Sequence, residues 1–522
     1  MKPSLVRPML GLLLAMGLAL AVCEAPNPPA ELTVLAGSEL EDMQPLLPRI
    51  EAATGIHLNL RFGGTLEITE RIEQGEAADL AWLSQAKYLA LLPGGAARIA
   101  AQDKIMLSPV VLGVKESAAK KFGWIGNSDV TWRNIADKAA SGELRYAMTD
   151  PGSSNTGFSA LLGVAAAFSE SGDAIRPETV DRAAITRFFK GQHLTAGSSG
   201  WLVDAYVRSE AQLNGIINYE SVLMRLNASG RLQEKLYLVY PKEGIVTADY
   251  PLMLLNPAQR PAYDKLVAYL RSPEFQQAMM DETLRRPVIP QVKPGPAFPS
   301  QLLVELPFPA SKDAIDRILF AYFDEYRRPA HVVFVLEVSG SMQGKRLASL
   351  KTALDNLTGL DRSLTGQFAR FRGREKITLI PFESKVHAGR TFTVNDPLPQ
   401  GADMQAVRSY AQSLATNGST ALYDALRAAY ETVAKAERTE PDRAYSIVLM
   451  SDGEANAGMG AEQFEAEFQA LPEPVRQAKT YTVLFGESSD AAMEHLAQLT
   501  GGKVFDGRSS LGAAFKAIRG YQ

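Results

Sequence analysis

Apolar runs of strand length alternate with stretches of helical periodicity along most of this chain. Glu31–Ala36 (ELTVLA) has the length of a strand, and Leu40, Met43, Leu46, Leu47 and Ile50 then recur at the spacing of one helix face. A second strand run, HLNLRF, ends at Gly63-Gly64-Thr65. The helical stretch ITERIEQGEAADLAW follows, with Ala78-Asp79-Leu80 opening a third strand. Further strand runs are MLSPVVLGVK (Met106–Lys115), ELRYAM and LYLVYPKEG (Leu236–Gly244), and AQRPAYDKLVAYLRSPEFQQAMMDETL is helical. Pro287–Pro309 is proline-dense, lacks a helical period and predicts a semi-rigid connector. Ser311 then caps a helix whose Ile315, Ile318, Leu319 and Tyr322 share a face and pack against one or both flanking domains. In the last third, HVVFVL, ITLIPF, YSIVLM and TYTVLF are buried-strand runs, and KVF is a short edge. Strand–helix alternation of this kind predicts the α/β class, with parallel sheets covered by helices on both faces.

Length divides the chain: 522 residues exceed what one core supports and imply two to four domains. The net charge of −4 and the lack of a Lys/Arg-rich stripe give no electrostatic case for nucleic acid. Lys2 and Arg7 precede an uncharged apolar run from Met9 to Val22, too short for a membrane span and suited to an export signal. The single cysteine, Cys23, closes that run in Leu20-Ala21-Val22-Cys23, which resembles a bacterial lipobox, although Val22 departs from the small residue usual there. Acylation at Cys23 is the expectation, and it would anchor an exported lipoprotein in the cell envelope. Cleavage after Ala21 in Ala19-Leu20-Ala21 is the alternative and would leave a free thiol in an exported protein. The proline-rich Glu24–Ala30 suits a tether.

The strand run Val332–Leu336 stops at a carboxylate and places a hydroxyl at every second position after it: Glu337, Ser339, Ser341. Gly340 lets the backbone bend there. Oxygen ligands at the carboxyl end of a buried parallel strand stand where α/β sheets place binding sites, and hard oxygens suit Mg²⁺. The same residues also suit an ordinary strand-to-helix loop whose serines cap the next helix. Two later stretches favour the ion. Thr420 ends Asn417-Gly418-Ser419-Thr420 just before the helical run ALYDALRAAYETVAKAE, and Asp452 follows YSIVLM and Ser451. From about residue 328 to the C-terminus the chain resembles a von Willebrand factor A domain, a Rossmann-like fold. Ser339, Ser341, Thr420 and Asp452 match its metal-ion-dependent adhesion site, and Glu337 stands where the family usually has Asp. The resemblance implies Mg²⁺, with Mn²⁺ and Ca²⁺ as alternatives, and an open coordination position for an acidic side chain of a protein partner. Glutamate is one methylene longer, so it would either displace the ion or reach it directly.

Several strands in the first half end in glycine and hydroxyl residues at a helix start, where free amides and a partial positive charge make an anion site. Thr149-Asp150-Pro151-Gly152-Ser153-Ser154-Asn155-Thr156 before SALLGVAAAF is the strongest of these. FGGTLEITERIEQGEAADLAWLS, PGSSNTGFSALLGVAAAF and GIINYESVLMRLN resemble a bacterial periplasmic solute-binding protein of the two-lobed type, closest to the group that binds oxyanions. That resemblance implies two crossovers, at Met106–Lys115 and Leu236–Gly244, and a cleft with Ser38, Thr65, Ser154, Asn155, Thr156 and Tyr219 as ligand contacts. Each of them also suits a cap or turn, which alone stabilises by roughly 1 kcal/mol, and Tyr219 also suits the core. Trp201, beside Gly197-Ser198-Ser199-Gly200, suits either the cleft wall or the cover of the second lobe.

No zinc-type histidine pair, nucleophile elbow or phosphate loop is present, so no catalytic residues are assigned and no enzyme is expected. The expected organisation is a signal peptide and lipobox over 1–23, a tether over 24–30 and a two-lobed solute-binding domain over 31–290, its second lobe about 110–240. A proline-rich connector plus helix over 291–327 and an A domain over 328–522 complete it. The expected function is an exported, lipid-anchored binding protein whose A domain docks a protein partner through Mg²⁺ while the cleft binds or senses a small solute, an oxyanion or similar. The alternative is a solute receptor of an ABC-type transporter with the A domain as attachment element. A metal-dependent hydrolase is a third possibility.

Overall fold

A computed structural model describes residues 30–169, 174–299, 303–452, 455–486 and 490–522. Cys23, the apolar leader and nearly all of the tether lie outside the described residues. The first lobe is a five-stranded sheet in the order Ile56–Gly63, Ala30–Gly37, Leu80–Trp82, Pro251–Leu254, Ala101–Lys104. Its first three strands are parallel, and Pro251–Leu254 runs antiparallel to both neighbours. The predicted first helix opens as 3₁₀ turns over Ser38–Leu46 and becomes α only at Leu47–Thr54. Pro45, which has no N–H to give, lies inside that opening segment. Leu40, Met43, Leu46 and Ile50 are buried as their spacing predicts.

The second lobe is built on the long strand Met106–Lys115, which pairs antiparallel with Gly215–Tyr219 and Leu236–Val239. Gly215–Tyr219 pairs in parallel with Tyr146–Thr149, and that strand with Gln192–Ala196. Leu236–Val239 therefore belongs to this sheet, and the chain regains the first lobe only through Thr247–Ala248 and Pro251–Leu254. The sequence pattern places the crossover at Leu236–Gly244 because its apolar start LYLVY has strand length, which does not show which sheet it joins.

The A domain is a six-stranded sheet ordered Arg390–Thr393, Lys376–Phe382, Ala330–Glu337, Ala444–Ser451, Lys479–Leu484, Val504–Asp506. All pairings are parallel except the edge strand Arg390–Thr393, which the apolar pattern did not predict. Three of that strand's four residues are exposed, so it carries no buried run to detect.

The segment between the domains is packed rather than free. Val292, Phe298 and Leu306 are buried, and Leu306 donates its N–H to the Ile245 carbonyl. Ser311 caps Lys312–Ala321 through a 3.2 Å bond from the Ala314 N–H, and Ile315, Ile318, Leu319 and Tyr322 are all buried. This helix touches three bodies. Tyr88 of the first lobe bonds Asp316, Tyr322 bonds Gln192 of the second, and Phe320 packs on Phe368 of the A domain. One apolar core runs through all three, while the opposite face of the A-domain sheet has its own.

The A domain also reaches each lobe directly. Glu70 on the first-lobe helix Thr65–Glu73 accepts from both the Thr365 N–H (2.9 Å) and its hydroxyl (2.5 Å). On the second lobe, Trp201 stacks edge-on with Tyr521 at 4.9 Å between centroids, and a Cβ on Gly197 would lie 2.5 Å from the Tyr521 ring. Trp201 is thus a domain-interface residue.

Candidate functional site

Glu337 ends the central strand of the A-domain sheet and is fully buried. Its carboxylate gathers four donors. Oε1 accepts from the Ser339 hydroxyl (2.6 Å) and the Thr420 hydroxyl (2.7 Å). Oε2 accepts from the Ser451 hydroxyl (2.5 Å) and the Asp452 N–H (2.9 Å). Ser341 donates to Asp452 Oδ1 at 2.7 Å, and Arg346 Nη1 reaches Asp452 Oδ2 at 2.6 Å. The five residues singled out from sequence, Glu337, Ser339, Ser341, Thr420 and Asp452, are therefore one connected cluster at the carboxyl ends of two adjacent parallel strands. Glu337, Ser339, Thr420 and Asp452 are buried and Ser341 is exposed, so the cluster faces solvent through Ser341.

Counting protons defines its chemistry. The hydroxyl protons of Ser339 and Thr420 go to Glu337, and that of Ser341 goes to Asp452. Ser339 Oγ and Ser341 Oγ lie 2.7 Å apart, and once both donate to the carboxylates neither has a proton for the other. Two oxygens that turn lone pairs toward one locus, their protons held outward by carboxylates, are suited to share a hard cation. Ser339, Ser341, Thr420 and Asp452 are the residues that would hold such an ion. Glu337 has spent its acceptor capacity on four donors, so its role here is to orient the hydroxyls. Sequence reasoning missed that role, along with the donor Ser451 and the charge partner Arg346. Ser451 was visible as the last residue of YSIVLMS; Arg346 carried no signal, because its partner is 106 positions away.

Of the six predicted cleft residues, Asn155 and Tyr219 bond each other, while Thr65 and Thr156 pair with other hydroxyls. Tyr219 is fully buried. Its hydroxyl accepts from Asn155 Nδ2 (2.9 Å) and donates to Glu39 Oε1 (3.4 Å) across the lobes. Thr65 pairs with Ser84 at 3.3 Å, and Thr156 with Ser199 at 2.5 Å. Ser154 precedes the helix Asn155–Ala167 without a side-chain cap bond, and Ser38, part-exposed, opens the 3₁₀ segment. At Gly64 the lobes touch backbone to backbone: a Cβ there would stand 2.3 Å from the Ser153 carbonyl oxygen. Glu39, Ser84 and the fully buried Arg285, which donates to the Glu39 carbonyl and to Asp42, were not singled out from sequence.

Asp150, at the head of this loop, is buried. Burial pushes its carboxyl up to about 6, against the opposing pull of Arg327, the Gly152 N–H, Ser153 and Arg519. An acid with a raised folded-state value costs stability when ionised, so this cost is present above pH 6 and is relieved as pH falls toward 4. Asp150→Asn is expected to stabilise the protein by about 1–3 kcal/mol at pH 8, with the gain vanishing near pH 4.5. Melting curves across that range check it, and a pH-independent effect would contradict the assignment.

Comparison with known proteins agrees with this architecture. Residues 32–282 match the family model for bacterial extracellular solute-binding proteins, and residues 332–454 match the von Willebrand factor type A domain. Among curated proteins, inter-alpha-trypsin inhibitor heavy chain H3 of Mesocricetus auratus is 30% identical over 155 residues, covering 29% of this chain and 15% of that protein. Heavy chain H1 of Bos taurus is 26% identical over 191 residues, covering 34% of this chain and 20% of its own length. The chain thus spans a fifth or less of these relatives. Among solved structures, the periplasmic binding protein AfuA from Actinobacillus pleuropneumoniae aligns with 17% identity and a TM-score of 0.43, covering 57% of this chain and 98% of that one. The sulfate-binding protein SubI from Mycobacterium tuberculosis H37Rv aligns with 18% identity and a TM-score of 0.42, covering 55% and 98%. Among the described residues no helix is long and apolar enough to cross a membrane. The chain is a bacterial solute-binding domain followed by a von Willebrand factor type A domain.

Proposed function

We propose that this is an exported, lipid-anchored binding protein whose A domain engages a protein partner through a divalent cation, while its solute-binding domain binds or senses a small solute. The observation that carries the first part is the hydroxyl arrangement at Ser339, Ser341 and Thr420, whose protons are drawn away by Glu337 and Asp452. Bound there, Mg²⁺ would supply a Lewis-acidic position for a partner's acidic side chain. The exposed Ser341 gives that partner access. Export and acylation at Cys23 rest on the leader sequence. Both carboxylates of the cluster are taken up by hydroxyl, N–H and guanidinium donors, which favours binding over turnover.

In the full chain, Mg²⁺ at a hundredfold excess over its dissociation constant is expected to stabilise the A domain by about 2.7 kcal/mol. Ser341→Ala, which removes one hydroxyl at the exposed rim, is expected to lose most of that shift. Capture of envelope proteins with Mg²⁺ against chelator then tests the partner. Equal thermal shifts in wild type and Ser341→Ala would end the proposal.

A second role, delivery of solute to a membrane permease, rests on the match over residues 32–282. Calorimetry with small anions and organic solutes separates the two, because delivery requires tight, reversible solute binding.

A further inference from the structure

The place where a cleft of this construction would offer positive potential is already taken by a side chain of the protein. The 3₁₀ segment Ser38–Leu46 starts at Gly37, and the free amides of a helix start attract anions. The Glu39 side chain folds back over that start. A Cβ added to Gly37 would lie 2.8 Å from each Glu39 carboxylate oxygen, so a larger residue there would push the carboxylate aside. The carboxylate interacts there with its own backbone N–H and with the Ser84 hydroxyl. From the other lobe, Tyr219 donates to it, and Tyr219 is itself held by Asn155. Arg285, its side chain fully buried, lies beneath and donates to the Glu39 carbonyl. A backbone amide, two hydroxyls and a nearby guanidinium are what an oxyanion would need from a protein. Here the amide and hydroxyls face one internal carboxylate, and the guanidinium is bonded to the Glu39 carbonyl and to Asp42. Burial between the lobes raises the Glu39 carboxyl above its ordinary value, although the residue keeps part of its surface exposed.

We propose that Glu39 is the specificity-determining residue of the cleft: its carboxylate stands in for a bound anion, excludes oxyanions from the wild-type protein, and restricts the cleft to solutes that present hydrogen-bond donors or positive charge. The proposal rests on reading residues 32–282 as a solute-binding domain and specifies what that domain refuses. A solute oxyanion would have to displace a covalently tethered competitor and would bring a second negative charge beside the first.

The test is calorimetry and thermal shift on the full chain with inorganic sulfate, phosphate and molybdate, and separately with a panel of ammonium-bearing and neutral solutes. Wild type is expected to show no heat with the three oxyanions at millimolar concentration. Glu39→Ala, which empties the position, is expected to gain at least a hundredfold in affinity for one of them. Glu39→Gln, which still fills the space but donates from its amide, should gain less than tenfold. Glu39→Ser serves beside alanine as a second small replacement that keeps a polar group at the helix start. Circular dichroism on each variant confirms folding. Micromolar sulfate or phosphate binding by the wild type overturns the proposal and leaves the solute-binding reading intact. The proposal is equally overturned if neither Glu39→Ala nor Glu39→Ser gains an oxyanion while the wild type binds a solute of the panel. If no protein binds anything, both fall together.

Discussion

Replacing Glu337 by glutamine is expected to leave the A domain folded while abolishing its response to Mg²⁺. Ser451 and the Asp452 N–H both donate to one oxygen of Glu337, and a backbone N–H cannot turn around. The glutamine carbonyl must therefore take that side. Its NH₂ then faces Ser339 and Thr420, whose hydroxyls can rotate to accept. The exchange keeps every group partnered and should cost no more than about 1 kcal/mol, the scale of a single exchanged hydrogen bond. It also reverses the two hydroxyls, which spend lone pairs on the amide and aim protons at the place where a cation would sit. Thermal shift with and without Mg²⁺, together with partner capture, reads the result. Glu337→Ala is the contrasting variant. It takes their shared acceptor from the Ser339, Thr420 and Ser451 hydroxyls and the Asp452 N–H, and since a lost buried partner costs about 1–3 kcal/mol, it should destabilise outright. A Mg²⁺ response that survives in Glu337→Gln would show that Glu337 does not orient the site.

The largest loss of stability is expected at Glu375. This fully buried carboxylate accepts from Arg327 at the end of the connector, from Arg519 on the last helix at 2.7 and 2.8 Å, and from the Arg372 N–H at 3.1 Å. Burial alone would raise its carboxyl; Arg519 and Arg327 outweigh it and hold the group below its ordinary value. Glu375→Ala leaves two buried guanidinium groups without a counter-charge. Removing one partner of a buried ion pair costs about 3–5 kcal/mol, which for a unit of this size corresponds to a transition roughly 10 °C lower. Differential calorimetry resolves it, and a drop below about 2 °C would mean that the arginines find other partners. Since Arg327 also bonds the Gln522 carbonyl, the same substitution should loosen the C-terminus from the second lobe.

What the sequence made legible was whatever is periodic or sits at a fixed offset from a strand end. The run HVVFVLEVSGSM announced the central strand, the carboxylate that ends it and two of the hydroxyls beside it. Asp452 followed from the end of the neighbouring strand, and Thr420 from the start of a helix. Pairings between distant side chains carry no such signature. Glu39 reads as an ordinary acidic residue in a first helical turn, a place where carboxylates are common. Only the glycine two positions before it and the tyrosine 180 residues later show where its carboxylate goes. The proline-dense segment was legible as non-helical, but its composition said nothing of Val292, Phe298 and Leu306 finding apolar cover. Trp201 stood undecided between two surfaces because its partner, Tyr521, is the penultimate residue of the chain.

The contacts of the A domain with each lobe have a mechanical consequence. Thr365 grips the helix of Glu70 on one side, and Tyr521 lies against Trp201 and Gly197 on the other. A hinge whose two leaves are fastened to a common plate cannot swing without sliding across that plate. Tension applied to the plate by a captured partner would reach both leaves together. In this chain both lobes are fastened to one A domain.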